Sequence, residues 1–164
     1  MENNEAVFKV ERSTERRGEP IQEVVDSIVK KYCEDLTCII HKIRQLVKDE
    51  TTIISDQEIE DILLQLPIIL YDITDSQELV GLQLDISNQI LKEASSEAFK
   101  LARGTIKEKE AVTDLQTRTQ QLEKIIYERS YKTIKQKIEM AIETLNAVKK
   151  IQSARQQRYD MSRF

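Results

Sequence analysis

The sequence predicts an all-α fold, a helical bundle with a long C-terminal amphipathic helix of coiled-coil type that joins copies into an oligomer. Charged residues make up 33% of the 164 residues and aromatic residues only 5%, with 3 Gly and 2 Pro. This composition is typical of long helices and not of sheets. Residues 111–158 contain neither Gly nor Pro. Within them, apolar residues recur at alternating steps of three and four, which is the heptad spacing of helices that pack on a partner helix.

We call these apolar positions the heptad stripe and take them as the candidate oligomerisation surface. They are Tyr131, Ile134, Ile138, Ala141, Leu145 and Val148, with Ile142 and Ile151 widening the stripe. A wide stripe suits a bundle or a higher oligomer better than a two-stranded seam. A helix of 48 residues would span roughly 70 Å, which is too long for the remaining chain to wrap.

The chain divides into three predicted regions. Residues 1–19 are polar and lack periodicity, so we expect a flexible arm. Residues 20–104 form an acidic helical region, which begins with a helix of about 28 residues because Pro20 suits a first helical turn. Residues 105–164 form the long basic amphipathic helix.

The acidic region should contain two more helices after a break at residues 51–54. Ser55 and Glu58 match a capping box, and Ile59, Ile62, Leu63 and Leu66 line one face of the short helix that follows. Pro67 should interrupt this helix, so residues 66–71 are predicted as a kinked helix or buried connection. Thr74 can cap a third helix, whose apolar face carries Leu79, Leu82, Ile86, Ile90, Ala94 and Phe99. Gly104 should end or kink that helix, and the last segment starts near Thr105 or Thr113.

Charge is distributed unevenly along the chain. The net charge of −4 combines −9 over residues 1–126 with +5 over residues 127–164. Residues 49–91 contain ten acidic residues and no Lys or Arg. Such separation indicates either faces that meet different partners or solvated helix surfaces.

The sequence offers no catalytic constellation. It has no phosphate-binding loop of the GxxxxGK[ST] type, and His41 is its single histidine. Glu34, Cys38 and His41 share a helix face, but three ligands without CxxC or HxxxH spacing make a weak metal site. Cys33 and Cys38 are five residues apart on one helix and point in different directions, which favours free thiols in a reducing compartment. We therefore predict a protein without enzyme activity, metal or cofactor.

Hydropathy and the N-terminal composition predict a cytoplasmic protein. No apolar run approaches the roughly 18 residues that cross a membrane. Residues 1–5 are acidic and polar, unlike a secretory signal.

Lysine and arginine residues are the candidate nucleic-acid-binding residues. Lys92, Lys100, Arg103, Lys107 and Lys109 surround Gly104, while Arg129, Lys132 and Lys135 lie on the last helix. Lys100 and Arg103 are one turn apart, so a row of such residues could follow a phosphate backbone. Glu93, Glu97, Glu108 and Glu110 lie among them, and a mixed-charge surface with i,i+4 pairs explains the same pattern.

Residues 90–158 resemble phage recombination mediator proteins of the UvsY type. The resemblance rests on residues 97–103 (EAFKLAR), residues 105–114, the pair Tyr131-Lys132 before Ile134-Lys135, and the amphipathic tail to Ser153. It implies a small helical protein that forms ring-like homo-oligomers through its C-terminal helices, binds single-stranded DNA, and loads a recombinase onto strands coated with single-strand-binding protein. It also implies that Lys100 and Arg103 contact DNA and that Lys107 extends the contact. The family often has tyrosines after its basic pair, where this chain has Gly104, Thr105 and Ile106.

Three functional hypotheses remain open at this point. The first is an oligomeric mediator, encoded by a phage and acting in the host cytoplasm, that binds single-stranded DNA. The second is a purely structural helical assembly protein. The third is a small acidic inhibitor of a host DNA-binding protein, which would depend on Asp56, Glu60 and Asp61.

Overall fold

The computed structural model describes residues 2–48 and 54–161, with side chains described over 20–47 and 54–161. Within these residues the chain forms four helices and no strand: α1 (Glu2–Lys48), α2 (Asp56–Leu101), α3 (Ile106–Gln116) and α4 (Arg118–Met161). The predicted all-α class is therefore confirmed.

Helix α1 contains the predicted first helix, but Pro20 lies inside it and not in its first turn. Cys33 departs from helical geometry (φ −118°, ψ 18°), and the hydroxyl of Thr37 donates to the Cys33 carbonyl at 2.8 Å. Residues 2–19, predicted as part of a flexible arm, form the first part of α1, and their side chains lie outside the described ones, so the flexibility of the arm stays a prediction. The predicted break falls between α1 and α2, although residues 49–53 lie outside the described residues.

The capping box at the start of α2 is confirmed. The backbone N–H and the hydroxyl of Ser55 each donate to the Glu58 carboxylate at 2.8 Å. The Glu58 N–H donates to Ser55 Oγ at 3.2 Å. These hydrogen bonds stabilise the ionised carboxylate, so they hold the pKa of Glu58 below its ordinary range.

Of the two alternatives for residues 66–71, the structure has the helical one, and the separate third helix predicted to start at Thr74 is wrong, because α2 runs from Asp56 to Leu101. Pro67 is exposed inside it, where it removes one backbone hydrogen bond, while neighbouring Leu66 is fully buried. Helices in proteins are stabilised mainly by packing, which here outweighs the cost of the proline. The hydroxyl of Thr74 donates to the Leu70 carbonyl at 2.8 Å and so bonds within the helix instead of capping a new one.

The last segment is two helices and not one, which corrects the prediction of a single helix over residues 105–164. Helix α3 begins after Thr105, at one of the two predicted starts, and ends at Gln116. Thr117 has φ −97° and ψ 9°, and its hydroxyl donates to the Thr113 carbonyl at 2.9 Å. The backbone bonds from Thr117 N to Thr113 O and from Gln121 N to Thr117 O persist, so a single residue separates α3 from α4.

The chain divides into two compact units. Unit 1 comprises residues 1–30 and 79–132, and unit 2 comprises residues 31–78 and 133–164. The described side chains buried in unit 1 are few and small, and several are polar: Val25, Val29, Val80, Ser87, Ala98, Thr113, Thr117 and Ser130. Those buried in unit 2 are larger and apolar: Cys33, Leu36, Ile39, Ile43, Ile59, Ile62, Leu66, Ile73, Ile134, Ile138, Ala141, Leu145 and Val148.

The heptad stripe is mostly buried within the subunit. Ile134 is completely inaccessible, and Ile138, Ala141, Leu145 and Val148 are at most 9% exposed. These residues lie in unit 2, whose buried side chains also come from α1 and α2. The stripe is therefore an apolar helix face, as predicted, but the same chain covers these five residues, which corrects their assignment to the oligomerisation surface; for Tyr131, Ile142 and Ile151 the assignment stays a prediction. Tyr131 is half-buried, while Ile142 and Ile151 are exposed.

The apolar face predicted for the second half of α2 is exposed. Leu79 and Leu82 are 56% and 55% accessible, and Ile86 and Ile90 are each 43% accessible. The buried face of this segment carries smaller side chains, Val80, Ser87 and Ala98. Helix α2 therefore has apolar residues on two faces, and the face with the smaller side chains packs inward.

Candidate nucleic-acid interface

Lys92 and Lys100 lie on one exposed face near the C-terminal end of α2. They border a shallow open groove along the helix together with Gln89, Glu93, Ser96 and Glu97. Neither lysine forms an ion pair with a described side chain, so both ammonium groups are free to meet an anion in solvent. The face also carries Glu93 and Glu97, which makes it a mixed-charge surface and reduces its attraction for phosphate.

The turn between α2 and α3 places Arg103 and Lys107 in solvent. Gly104, at φ 114°, adopts a backbone conformation that favours glycine. A Cβ at this position would lie 2.5 Å from Glu108 Oε2. Arg103 and Lys107 are exposed on either side of Gly104, and neither is paired with a described acidic residue.

Thr105 and Glu108 form a capping box at the start of α3. The Thr105 N–H donates to Glu108 Oε2 at 2.7 Å, its hydroxyl donates to the same oxygen at 2.9 Å, and the Glu108 N–H donates to Thr105 Oγ1 at 3.4 Å. The hydrogen bonds from Thr105 lower the pKa of Glu108. A carboxylate of the chain itself thus occupies the start of α3, so the cations near the turn, and not the helix terminus, are the available anion-binding groups.

A second groove lies between α2 and α3, and Lys100 borders it as well. Its lining includes Phe99 and Lys100 from α2, and Glu110 and Asp114 from α3. The ammonium of Lys109 lies 5.6 Å from the centroid of the Phe99 ring, in cation–π range. Phe99 is 38% exposed, so one aromatic ring is available beside two lysines.

The cations predicted on α4 are exposed, but they do not extend this cluster. Lys132 pairs with Glu128 at 2.7 Å, and hydrogen bonding to Lys132 lowers the pKa of Glu128. Arg129 is exposed and belongs to unit 1, as does Lys132, while Lys135 belongs to unit 2. Lys100, Arg103, Lys107 and Lys109 therefore lie within ten residues of one another at the α2–α3 turn, and Lys92 shares a groove on α2 with Lys100.

The two cysteines and the single histidine, which the sequence offered as possible metal or redox groups, do not form a site among the described residues. Among the described residues, no three His, Cys, Asp or Glu side chains lie close enough to hold a metal ion. The Gln45 amide nitrogen lies 2.9 Å from His41 Nε2. Cys33 is buried and Cys38 is exposed, and both are free. Burial raises the pKa of the Cys33 thiol, with an opposing effect from Lys137, so this thiol is a packing group.

Sequence reasoning missed the exposed apolar residues of α2. Besides Leu79 to Ile90, Leu64, Ile68 and Tyr71 are more than 60% exposed. Their spacing by four and then three places them on one helix face. The signal for this face was present in the sequence, because α2 has large apolar residues on more than one side. None of the described helices has an apolar stretch long enough to cross a membrane.

Comparisons of the chain with protein-family models, curated protein sequences and solved structures found no match.

Proposed function

We propose that the protein is an oligomeric accessory protein that binds single-stranded DNA and acts as a recombination mediator without enzyme activity. The observation that supports this proposal is the group of exposed cations at the α2–α3 turn. Lys92, Lys100, Arg103 and Lys107 lie within sixteen residues of one another, and none is paired with a described acidic side chain. A single strand is flexible enough to follow such a cluster through its phosphates.

This cluster would bind the phosphate backbone of the DNA strand and would not distinguish base sequences. Phe99 is the one aromatic ring beside these cations among the described residues. One ring supports one stacked base at most, so affinity would come from phosphate contacts summed over several copies. In the mediator role, a recombinase and a single-strand-binding protein are the further partners, and the host cytoplasm is the place of action.

A fluorescence anisotropy titration with a 40-nucleotide single strand at low salt tests the binding. The Lys100→Ala/Arg103→Ala variant should bind at least tenfold more weakly than the wild-type protein. Lys30→Ala/Lys31→Ala, which removes the same charge from exposed positions on α1, is the matched control and should bind within about twofold. Equal affinities of the two variants for the strand would show that binding depends on the overall charge of the protein and not on Lys100 and Arg103 at the α2–α3 turn.

The salt dependence of the same titration separates local contacts from general attraction. Each phosphate contact on a single strand contributes about 0.7 to the slope of log affinity against log salt. Loss of two contacts should therefore reduce the slope by about 1.4. An unchanged slope in the Lys100→Ala/Arg103→Ala variant would mean that these side chains do not touch phosphate.

A second candidate function is a helical assembly protein without nucleic-acid affinity. The exposed apolar residues of α2 favour it, because an apolar face of this length is normally covered by another surface. Wild-type protein that forms defined oligomers, yet leaves the anisotropy of the strand unchanged at low salt, would support this function over strand binding.

A further inference from the structure

Leu79, Leu82, Ile86 and Ile90, here called the α2 stripe, form an uncovered apolar face with acidic ends. Their spacing of three, four and four residues keeps them on one side of the helix, and all four are exposed. Asp75 precedes Leu79 by one turn, and Glu93 follows Ile90 by three residues. Both carboxylates are exposed. A surface that packs on the stripe would therefore meet an apolar centre between two negative charges.

Leu122 and Ile125, here called the α4 patch, form an apolar surface with basic ends. Arg118 precedes Leu122 by one turn, and Arg129 follows Ile125 by one turn. All four residues are exposed. Their spacing of four, three and four residues places them on one face of α4. Like the α2 stripe, this patch has apolar residues in its middle, but the charges at its two ends are positive instead of negative.

The α4 patch is shorter than the α2 stripe. At about 1.5 Å per residue, Asp75 to Glu93 spans roughly 27 Å and Arg118 to Arg129 roughly 17 Å. The α4 patch therefore fits between the two acidic ends of the α2 stripe. Leu79 to Ile90 and Arg118 to Arg129 lie in unit 1 and remain exposed there, so neither surface is covered by the other within one chain.

The negative charge around the α2 stripe indicates which kind of surface can pack on it. Residues 49–91 contain ten acidic residues and no Lys or Arg, so two α2 stripes facing each other would place like charges together. A helix with an apolar centre and basic ends avoids this repulsion, and another copy of the chain presents such a helix in α4. Contacts between different surfaces of identical chains are heterologous, and they can join more than two copies.

We propose that a second copy of this chain covers the α2 stripe with its α4 patch. This proposal goes beyond the proposed function because it names the two surfaces through which copies assemble. It rests on the proposed oligomeric state and not on the proposed binding of single-stranded DNA. It also replaces the heptad stripe, which the subunit buries, as the place where copies meet. Because its test contains no DNA, failure here leaves the anisotropy test of strand binding intact.

Complementary charge reversal is the sharpest test. In one variant, Asp75→Lys/Glu93→Lys makes the ends of the α2 stripe basic. In the other, Arg118→Glu/Arg129→Glu makes the ends of the α4 patch acidic. Sedimentation velocity at micromolar concentrations should show the wild-type chain as an oligomer and each variant alone as a monomer. An equimolar mixture should recover the oligomer, since each variant then presents a surface complementary to one on the other.

Controls separate the contact from general effects. Glu34→Lys/Asp35→Lys reverses two exposed acidic residues on α1 and should leave the oligomer unchanged. Ile86→Ser removes an apolar contact without changing charge and should shift the protein towards monomer, with helical content by circular dichroism retained. A monomeric wild-type chain, variants that each remain fully assembled, or a mixture that stays monomeric would overturn the proposal.

Discussion

The guanidinium of Arg155, near the end of α4, donates a hydrogen bond to the carboxylate of Asp56 at 3.0 Å. The same nitrogen donates to the backbone carbonyl of Ile54 at 2.6 Å. Both partners lie at the start of α2, and all three residues belong to unit 2. Arg155 thus joins residues about one hundred positions apart in the sequence. It also occupies Asp56, one of the carboxylates that an acidic inhibitor surface would need.

Loss of this contact should destabilise the protein slightly. The Asp56 side chain is 61% exposed, so solvent weakens the ion pair, and most of the effect comes from the bond to the Ile54 carbonyl. Arg155→Ala should lower the free energy of unfolding by about 1 kcal/mol. Urea denaturation measures the change. Arg158→Ala, at an exposed position one turn further on, is the control, and equal effects of the two substitutions would show that the contact contributes nothing.

The close approach of Gly81 and Tyr131 should make unit 1 sensitive to side-chain volume at Gly81. A Cβ at Gly81 would lie 3.2 Å from Tyr131 Cε2, which is tighter than ordinary contact. Gly81→Val should therefore lower the free energy of unfolding by about 1–3 kcal/mol through overpacking. In the Tyr131→Ala background the same change should cost less, because the ring is gone. Thermal unfolding of the four proteins gives this coupling, and additive effects would contradict the contact.

Substitution of Leu145 should affect folding before assembly. Leu145 is buried in unit 2 on the α4 face that was predicted to join copies. Leu145→Ala should cost about 2–5 kcal/mol through lost burial and the cavity left behind. Met140→Ala, at a position 61% exposed on the same helix, should change stability by less than about 0.5 kcal/mol. An oligomer that dissociates without loss of unfolding free energy in Leu145→Ala would instead restore the heptad stripe as an interface.

The capping carboxylate of Glu108 should give stability a defined pH dependence. Hydrogen bonds from Thr105 lower its pKa in the folded chain. A lowered folded-state pKa stabilises the protein at pH values above the ordinary glutamate pKa, and this contribution disappears as pH falls through the folded value. The wild-type protein should therefore unfold at a higher temperature than Glu108→Gln at neutral pH, and the difference should vanish in acid. Glu123→Gln, at an exposed position on α4, is the control, and a difference independent of pH would contradict the assignment.

Local chemistry made several helix ends predictable from the sequence. The Ser55–Glu58 box and the start of a helix at Thr105 depend on hydrogen bonds between residues three apart, so short sequence patterns identify them. The break at Thr117 has no Gly or Pro to mark it. Its signal is a threonine four residues after Thr113, whose hydroxyl bonds back to that residue's carbonyl, and such bonds are known to bend helices.

The partner of an apolar face was not predictable from periodicity. The heptad pattern of Ile134 to Val148 identifies a face that must be covered, but it does not say whether the same chain or another copy covers it. On α2, Leu79 and Leu82 are larger and more apolar than Val80 and Ser87, yet the smaller pair is buried. Which side packs inward depends on close approach of other helices, as at Gly81, and that is a tertiary property. The candidate cations are exposed except for Lys109, which is half-buried, and their role in binding stays a prediction.

Sedimentation velocity of the wild-type protein with a fluorescent 40-nucleotide single strand at low salt tests the proposed assembly and strand binding most directly. The protein alone should sediment as a particle larger than one 19.1 kDa chain. The fluorescent strand should move with that particle. A single 19.1 kDa species from which the strand sediments separately would contradict both the proposed assembly and the proposed binding.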